Sequence, residues 1–407
     1  MEIHGFQAWR PMPEVAHTIA SVAYDTVNRS EAKALAGENP KSFLHVVRPE
    51  VSLSDAVDAY DARVYEEAAA AMERLLADGD LIVDPDKAVY LYRLQMGGHV
   101  QRGIVACCNI ADYRNGRILR HEKTREDKEE DRVRHVRAVR ANTGPVFLTY
   151  RDEIAIDRLV GEVEATDPLY SFTAPDGVLH SIWKITNADP LVTAFQCVER
   201  FYIADGHHRA AAAVRAAEQL QQEQPGAIAD EASRFLCVLF PATQLKVLGY
   251  HRVVSDLHGL SEESFLEALD SVFTVASHDG PLEPQIRGQA GMYLGGRWYT
   301  LSWEVPQDCD PVSALDVSVL QDRVLGPLLD IQDPRTSTRI AFVGGIRGTQ
   351  ALETEVDAGR AAVAFSMCPV AVEDVMRIAE AGREMPPKST WFEPKLRSGL
   401  LIHPFAP

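Results

Sequence analysis

The chain has 407 residues, 46% of them hydrophobic, and a formal net charge of -18. That length suits two or three domains at roughly 150 residues each, and the acidic balance argues against the basic surface of a general nucleic-acid binder. No apolar run approaches the ~20 residues that span a bilayer, and the start Met1-Glu2-Ile3-His4 lacks the basic and apolar character of a signal peptide. A cytoplasmic protein that binds neither membrane nor nucleic acid is expected.

Taken in chain order, the first 50 residues carry turn signals at Pro11-Met12-Pro13 and Glu38-Asn39-Pro40. The segment 39–50 reads as strand-like, and its alternation groups Ser42, His45, Arg48 and Glu50 as candidate substrate-binding residues. Residues 52–78 read as a helix with Ser54 as N-cap. A strand over 88–94, a Gly97-Gly98 turn and a partner over 100–110 read as a hairpin. Cys107 and Cys108 should point to opposite faces of it. The six cysteines, Cys309 included, have no paired spacing and read as buried reduced thiols rather than disulfides or metal ligands.

Val133, Val136 and Val139 give the charged stretch 122–142 one apolar helical face, stopped by Gly144-Pro145. A buried strand over 146–150 and a helix over 152–165 follow, then a meander with its clearest strand at 179–186. Residues 201–204 read as a strand, 209–222 as an alanine-rich helix and 235–240 as another apolar strand.

The turn between that strand and helix, Ile203-Ala204-Asp205-Gly206-His207-His208-Arg209, is where chemistry concentrates. Glycine permits backbone geometry that a Cβ resists, and a helix N-terminus offers unsatisfied N–H groups and the positive end of its dipole. His207, His208 and Arg209 would add donors and positive charge, and Asp205 could hold a metal ion or orient a hydroxyl. Helix capping and simple ion pairing remain the alternative, with zinc a remoter one.

Two further groups stand out. In Arg120-His121-Glu122-Lys123-Thr124, Glu122 is either a helix-start carboxylate or a general base. Lys388, Ser389 and Thr390, with Lys395 nearby, form either a phosphate-binding loop or an exposed one, without the glycine frame of a P-loop.

The strings 39–46, Arg48-Pro49-Glu50, His121-Glu122-Lys123-Thr124, 203–209 and Met385-Pro386-Pro387-Lys388-Ser389-Thr390 together resemble a bacterial family known only as a domain of unknown function. Its middle is similar to the ParB/sulfiredoxin superfamily, which includes kinases of free L-serine. The resemblance implies an α/β (α+β) fold with a ParB/sulfiredoxin-like core and N- and C-terminal additions. The expected domains are 1–100, a nucleotide-binding core over 101–250 with an insertion near 151–200, and 251–407. It implies Glu122 as base for the serine hydroxyl, with His121 and Asp205 beside it as catalytic residues. It further implies that Gly206, His207, His208 and Arg209 hold the phosphates of ATP or ADP, bridged by Mg2+ near Asp205. The expected function is a small-molecule kinase, with a nucleotide-binding regulatory protein or a phosphoserine phosphatase as rivals. A homodimer is one expected assembly.

Overall fold

The Gly97-Gly98 turn folds Val89–Met96 (β1) back on His99–Asn109 (β2), with Met96 paired to His99. A computed structural model describes residues 1–223, 225–305 and 310–405. The chain divides into one unit of Met1–Leu245 with Pro394–Pro407 and another of Lys246–Glu393.

In the first unit, Ile118–Leu119 (β3), Val146–Tyr150 (β4), Tyr170–Thr173 (β5), Leu179–Ile185 (β6), Phe201–Asp205 (β7) and Arg234–Pro241 (β8) join the hairpin in one sheet of order β3-β7-β4-β8-β2-β1-β6-β5. The sheet is mixed: β4 runs parallel to β8, and β7 runs antiparallel to β4. β4 and β8 sit in its middle, and their residues are nearly all buried, as continuous apolar runs require. Leu91, Ile104, Leu148, Ile203 and Leu239 pack one face into a core with Phe195 and Phe201. The mixed α/β class expected from the sequence is therefore observed.

The first unit also carries helices Arg29–Ala36 (α1), Ala62–Ala77 (α2), Glu126–Val139 (α3), Ile154–Glu164 (α4) and His207–Glu223 (α5). α5 presents Ala212, Ala216, Ala217 and Leu220 to Val133 and Val136 of α3. Methyl side chains let the two backbones approach closely, which is why an alanine-rich helix belongs here. Val133, Val136 and Val139 are all buried, on the face their spacing implied.

Several boundaries differ from expectation. α2 starts at Ala62 and is capped by Asp61, whose carboxylate accepts from Arg63 N, and not by Ser54. Asp58 accepts from Tyr60 N and Ser54 O from Val57 N, so local turns consume that stretch. Segment 39–50 is not a strand. Asn39 and Ser42 bond their own neighbouring backbone, and a helical turn Leu44–Val47 and a 3-10 turn Pro49–Ser52 result. α3 ends at Arg140 with φ 52°, before Gly144, and Ala141–Asn142 then pairs with His403–Pro404. Cys107, Cys108, Cys237 and Cys368 are buried, Cys197 is exposed, and Cys309 lies outside the described residues.

The second unit is built on Tyr250–Val254 (β9), Thr274–His278 (β10), Gln289–Leu294 (β11), Arg297–Ser302 (β12), Ile340–Gly344 (β13) and Val363–Met367 (β14), in the order β10-β12-β11-β14-β9-β13. All of these pairings are antiparallel, and Phe265, Met292, Leu320 and Phe365 lie in its core. Among the described residues, no helix is long and apolar enough to cross a membrane.

Candidate functional site

β7 ends at Asp205, and Gly206 turns the chain into α5 with φ +94°. A Cβ at Gly206 would lie 3.0 Å from Cζ and Nε of Arg209, so the turn needs glycine both for its dihedral and for space. The first bond within α5 runs from Ala210 N to Gly206 O at 3.0 Å. The N–H groups before Ala210 thus have no partner in the helix and face its positive end.

His207 is buried beside His121, their rings edge to face with centroids 4.5 Å apart. Burial pushes His121 down to about 4, against the opposing pull of Asp205 and of a hydrogen bond to the Ile203 backbone. Burial, with His121 next to it, holds His207 well below the usual histidine range. Both rings are neutral at pH 7, so His207 does not bring the positive charge its sequence position suggested. His121 Nδ1 and His207 Nε2 are buried and, among the described residues, have no hydrogen-bond partner. Such groups cost about 1–3 kcal/mol each unless a ligand or water completes them.

Glu122 lies in the loop four residues before α3, not in its first turn, so it does not cap that helix. Its Oε2 stands 3.7 Å from His207 Nδ1, longer than a hydrogen bond. His208 turns the other way: its Nε2 accepts the Arg125 backbone N–H at 3.1 Å and ties the 122–125 loop to the start of α5. That bond requires the neutral ring, and burial lowers the His208 pKa accordingly.

Arg209 donates from Nη1 to the Pro145 carbonyl, while Nη2 lies 3.8 Å from Asp205 Oδ1 and 4.0 Å from Asp25 Oδ2. Lys395 donates to Asp205 Oδ2 at 2.9 Å. Burial would raise the Asp205 pKa, but Lys395 and Arg209 together hold it well below the usual carboxylate range. A cavity of about 30 Å3, room for roughly one water, is lined by Tyr24, Gly144, Arg209 and Ser398 among others.

Ser42 is buried, His45 bonds Ser52 Oγ at 2.8 Å and Asn39 O at 3.0 Å, and Arg48 pairs with Glu50 at 2.8 Å. Arg48 also reaches Tyr24 O, one residue before Asp25, at 3.2 Å. This set closes on itself and braces the segment that carries Asp25. Lys388, Ser389 and Thr390 belong to the second unit, whereas Lys395 belongs to the first. Ser389 Oγ donates to Pro386 O at 2.6 Å, and the Lys388 carbonyl accepts from Arg252. Lys395 and Asp25 escaped sequence reasoning as partners of the turn, because no local spacing links them to it.

Among the described residues, no group of three or more His, Cys, Asp or Glu side chains comes together to hold a metal ion. Asp205 already faces two cations, so the donors present do not make a resident Mg2+ site.

A family model described as "Protein of unknown function (DUF1015)" matches residues 3–318. The chain belongs to this family. No curated protein matches the sequence of this DUF1015 member. It is similar to several solved structures. A conserved hypothetical protein from Pyrococcus furiosus shares 13% identity over 73% of this chain and 95% of that one, with a TM-score of 0.36. A free serine kinase in complex with AMP shares 14% over 73% and 92%, with a TM-score of 0.37. C-terminally truncated SbnI from Staphylococcus aureus shares 12% over 74% and 88%, with a TM-score of 0.39.

Proposed function

We propose that this chain is a nucleotide-dependent phosphotransferase whose acceptor is a small hydroxyl metabolite, free serine first. One observation carries the reading: the Glu122 carboxylate stands 3.7 Å from a buried, neutral histidine at the N-terminus of the 17-residue helix α5. Phosphoryl transfer asks a protein mainly for positioned donors and an oriented nucleophile. The first-turn N–H groups of α5 and Arg209 are the donors for nucleotide phosphates. Glu122 takes the proton as the acceptor oxygen bonds to the terminal phosphorus and the bond to the bridging oxygen breaks, leaving the shortened nucleotide. Mg2+ enters on the nucleotide as part of the substrate. Asp205, held by Lys395 and Arg209, fixes Arg209 at the turn. The same reading treats 101–250 as a ParB/sulfiredoxin-like core in a cytoplasmic enzyme.

The test is product analysis. The full chain with Mg2+, L-serine and ATP or ADP should yield O-phosphoserine in step with nucleotide consumption. Phosphate release from phosphoserine alone, with no transfer from either nucleotide, would overturn the reading in favour of a phosphatase.

A further inference from the structure

The second unit holds a separate cleft of about 410 Å3. Arg252, on β9, lines it and is only 3% exposed. Buried arginines normally face a carboxylate, because an unpaired charge away from water is costly. Among the described residues, Arg252 forms no ion pair. It donates to the carbonyls of Tyr250 and, at 3.2 Å, Lys388, and lies 5.5 Å from the centre of the Phe342 ring. Two carbonyls and a ring face do not use all the donors of a guanidinium or neutralise it. Burial pulls its pKa down to about 10, still well above neutrality, so the charge stays.

Gln321 lines the same cleft. Its Nε2 donates to Ile331 O at 2.7 Å, while its Oε1 is buried and has no partner among the described residues. It opens a π-helical turn, Gln321–Leu325, closed by Gly326 N to Gln321 O at 2.9 Å. Such turns are rare and recur at functional sites. The cleft therefore combines a buried cation lacking an anion with a buried acceptor lacking a donor. Val317, Leu325, Phe342 and Met385 supply apolar wall.

We infer that this cleft binds a small organic carboxylate that carries a hydroxyl donor beside an apolar portion. The carboxylate meets Arg252, the hydroxyl donates to Gln321 Oε1, and the carbon skeleton lies along Phe342 and Met385. A single negative charge fits better than a phosphate dianion. The other cation in the lining, Arg335, is already bonded to Asp333, and Glu384 adds a further negative charge. The site is independent of the phosphoryl-transfer reading, since every lining residue belongs to the second unit.

The test is calorimetric titration of the full chain with 3-hydroxybutyrate, butyrate and inorganic phosphate as probes. 3-Hydroxybutyrate should bind, and butyrate should bind more weakly. Arg252→Leu should weaken binding by about ten- to a hundredfold. Because Arg252 is buried, that variant can misfold. Gln321→Met is the second variant and should erase the preference for 3-hydroxybutyrate over butyrate while keeping the butyrate affinity. No binding of either carboxylate, binding of phosphate alone, or an unchanged preference in the Gln321 variant would overturn the assignment.

Discussion

The Lys395 ammonium donates to the Asp205 carboxylate at 2.9 Å, although 190 positions separate the two in sequence. Arg209 stands on the other oxygen of the same carboxylate, 3.8 Å away. Asp205 is thus the hinge of the turn: it closes β7 and sets the guanidinium that follows on α5.

Lys395→Met should therefore leave Asp205 with a single cation and raise its pKa. A cost of about 1–3 kcal/mol is expected in urea unfolding, below the figure for a fully buried pair because both groups keep some exposure. A double-mutant cycle with Asp205→Asn should show positive coupling of the two sites. Strict additivity would remove Lys395 from the account.

Gly206→Ala should destabilise by about 1–2 kcal/mol, because φ +94° is a strained dihedral for alanine and its Cβ would press on Arg209 at 3.0 Å. Weaker nucleotide binding should accompany the lower melting temperature, since Arg209 must shift. A variant as stable as the parent would mean the turn relaxes freely.

Stability should fall on acidification. His121 and His135 are buried and each held down to about 4. Unfolded histidines take up protons from about pH 6.5, so the unfolded chain binds more protons between those values. The contribution is complete above about pH 6.5 and is lost as pH falls toward 4, by about 3 kcal/mol per histidine at most. Unfolding free energies measured at pH 7, 5.5 and 4.5 should decline in that order, and His121→Gln should flatten the slope. A flat or rising profile would contradict the neutral, buried rings.

What the sequence disclosed follows from the range of the forces involved. The β7–α5 junction is readable because an apolar run, a glycine and an alanine-rich helix are local signals, and the structure places strand and helix at Phe201–Asp205 and His207–Glu223. The charge state of His207 is not readable, since it depends on burial and on His121 packing against it from 86 residues away in sequence, which only the fold reveals. The segment 39–50 misled because Asn39 and Ser42 satisfy backbone groups locally and outweigh alternation. Lys388 and Lys395 look like one basic loop in sequence, yet the chain passes from one unit to the other between them.

Glu122→Gln separates proton acceptance from binding through paired measurements of turnover and nucleotide affinity. Its removal as a proton acceptor should lower kcat for serine phosphorylation by at least about a hundredfold, with the nucleotide Kd within about twofold of the parent. Equal loss of both, or turnover that survives the substitution, would contradict the role assigned to it.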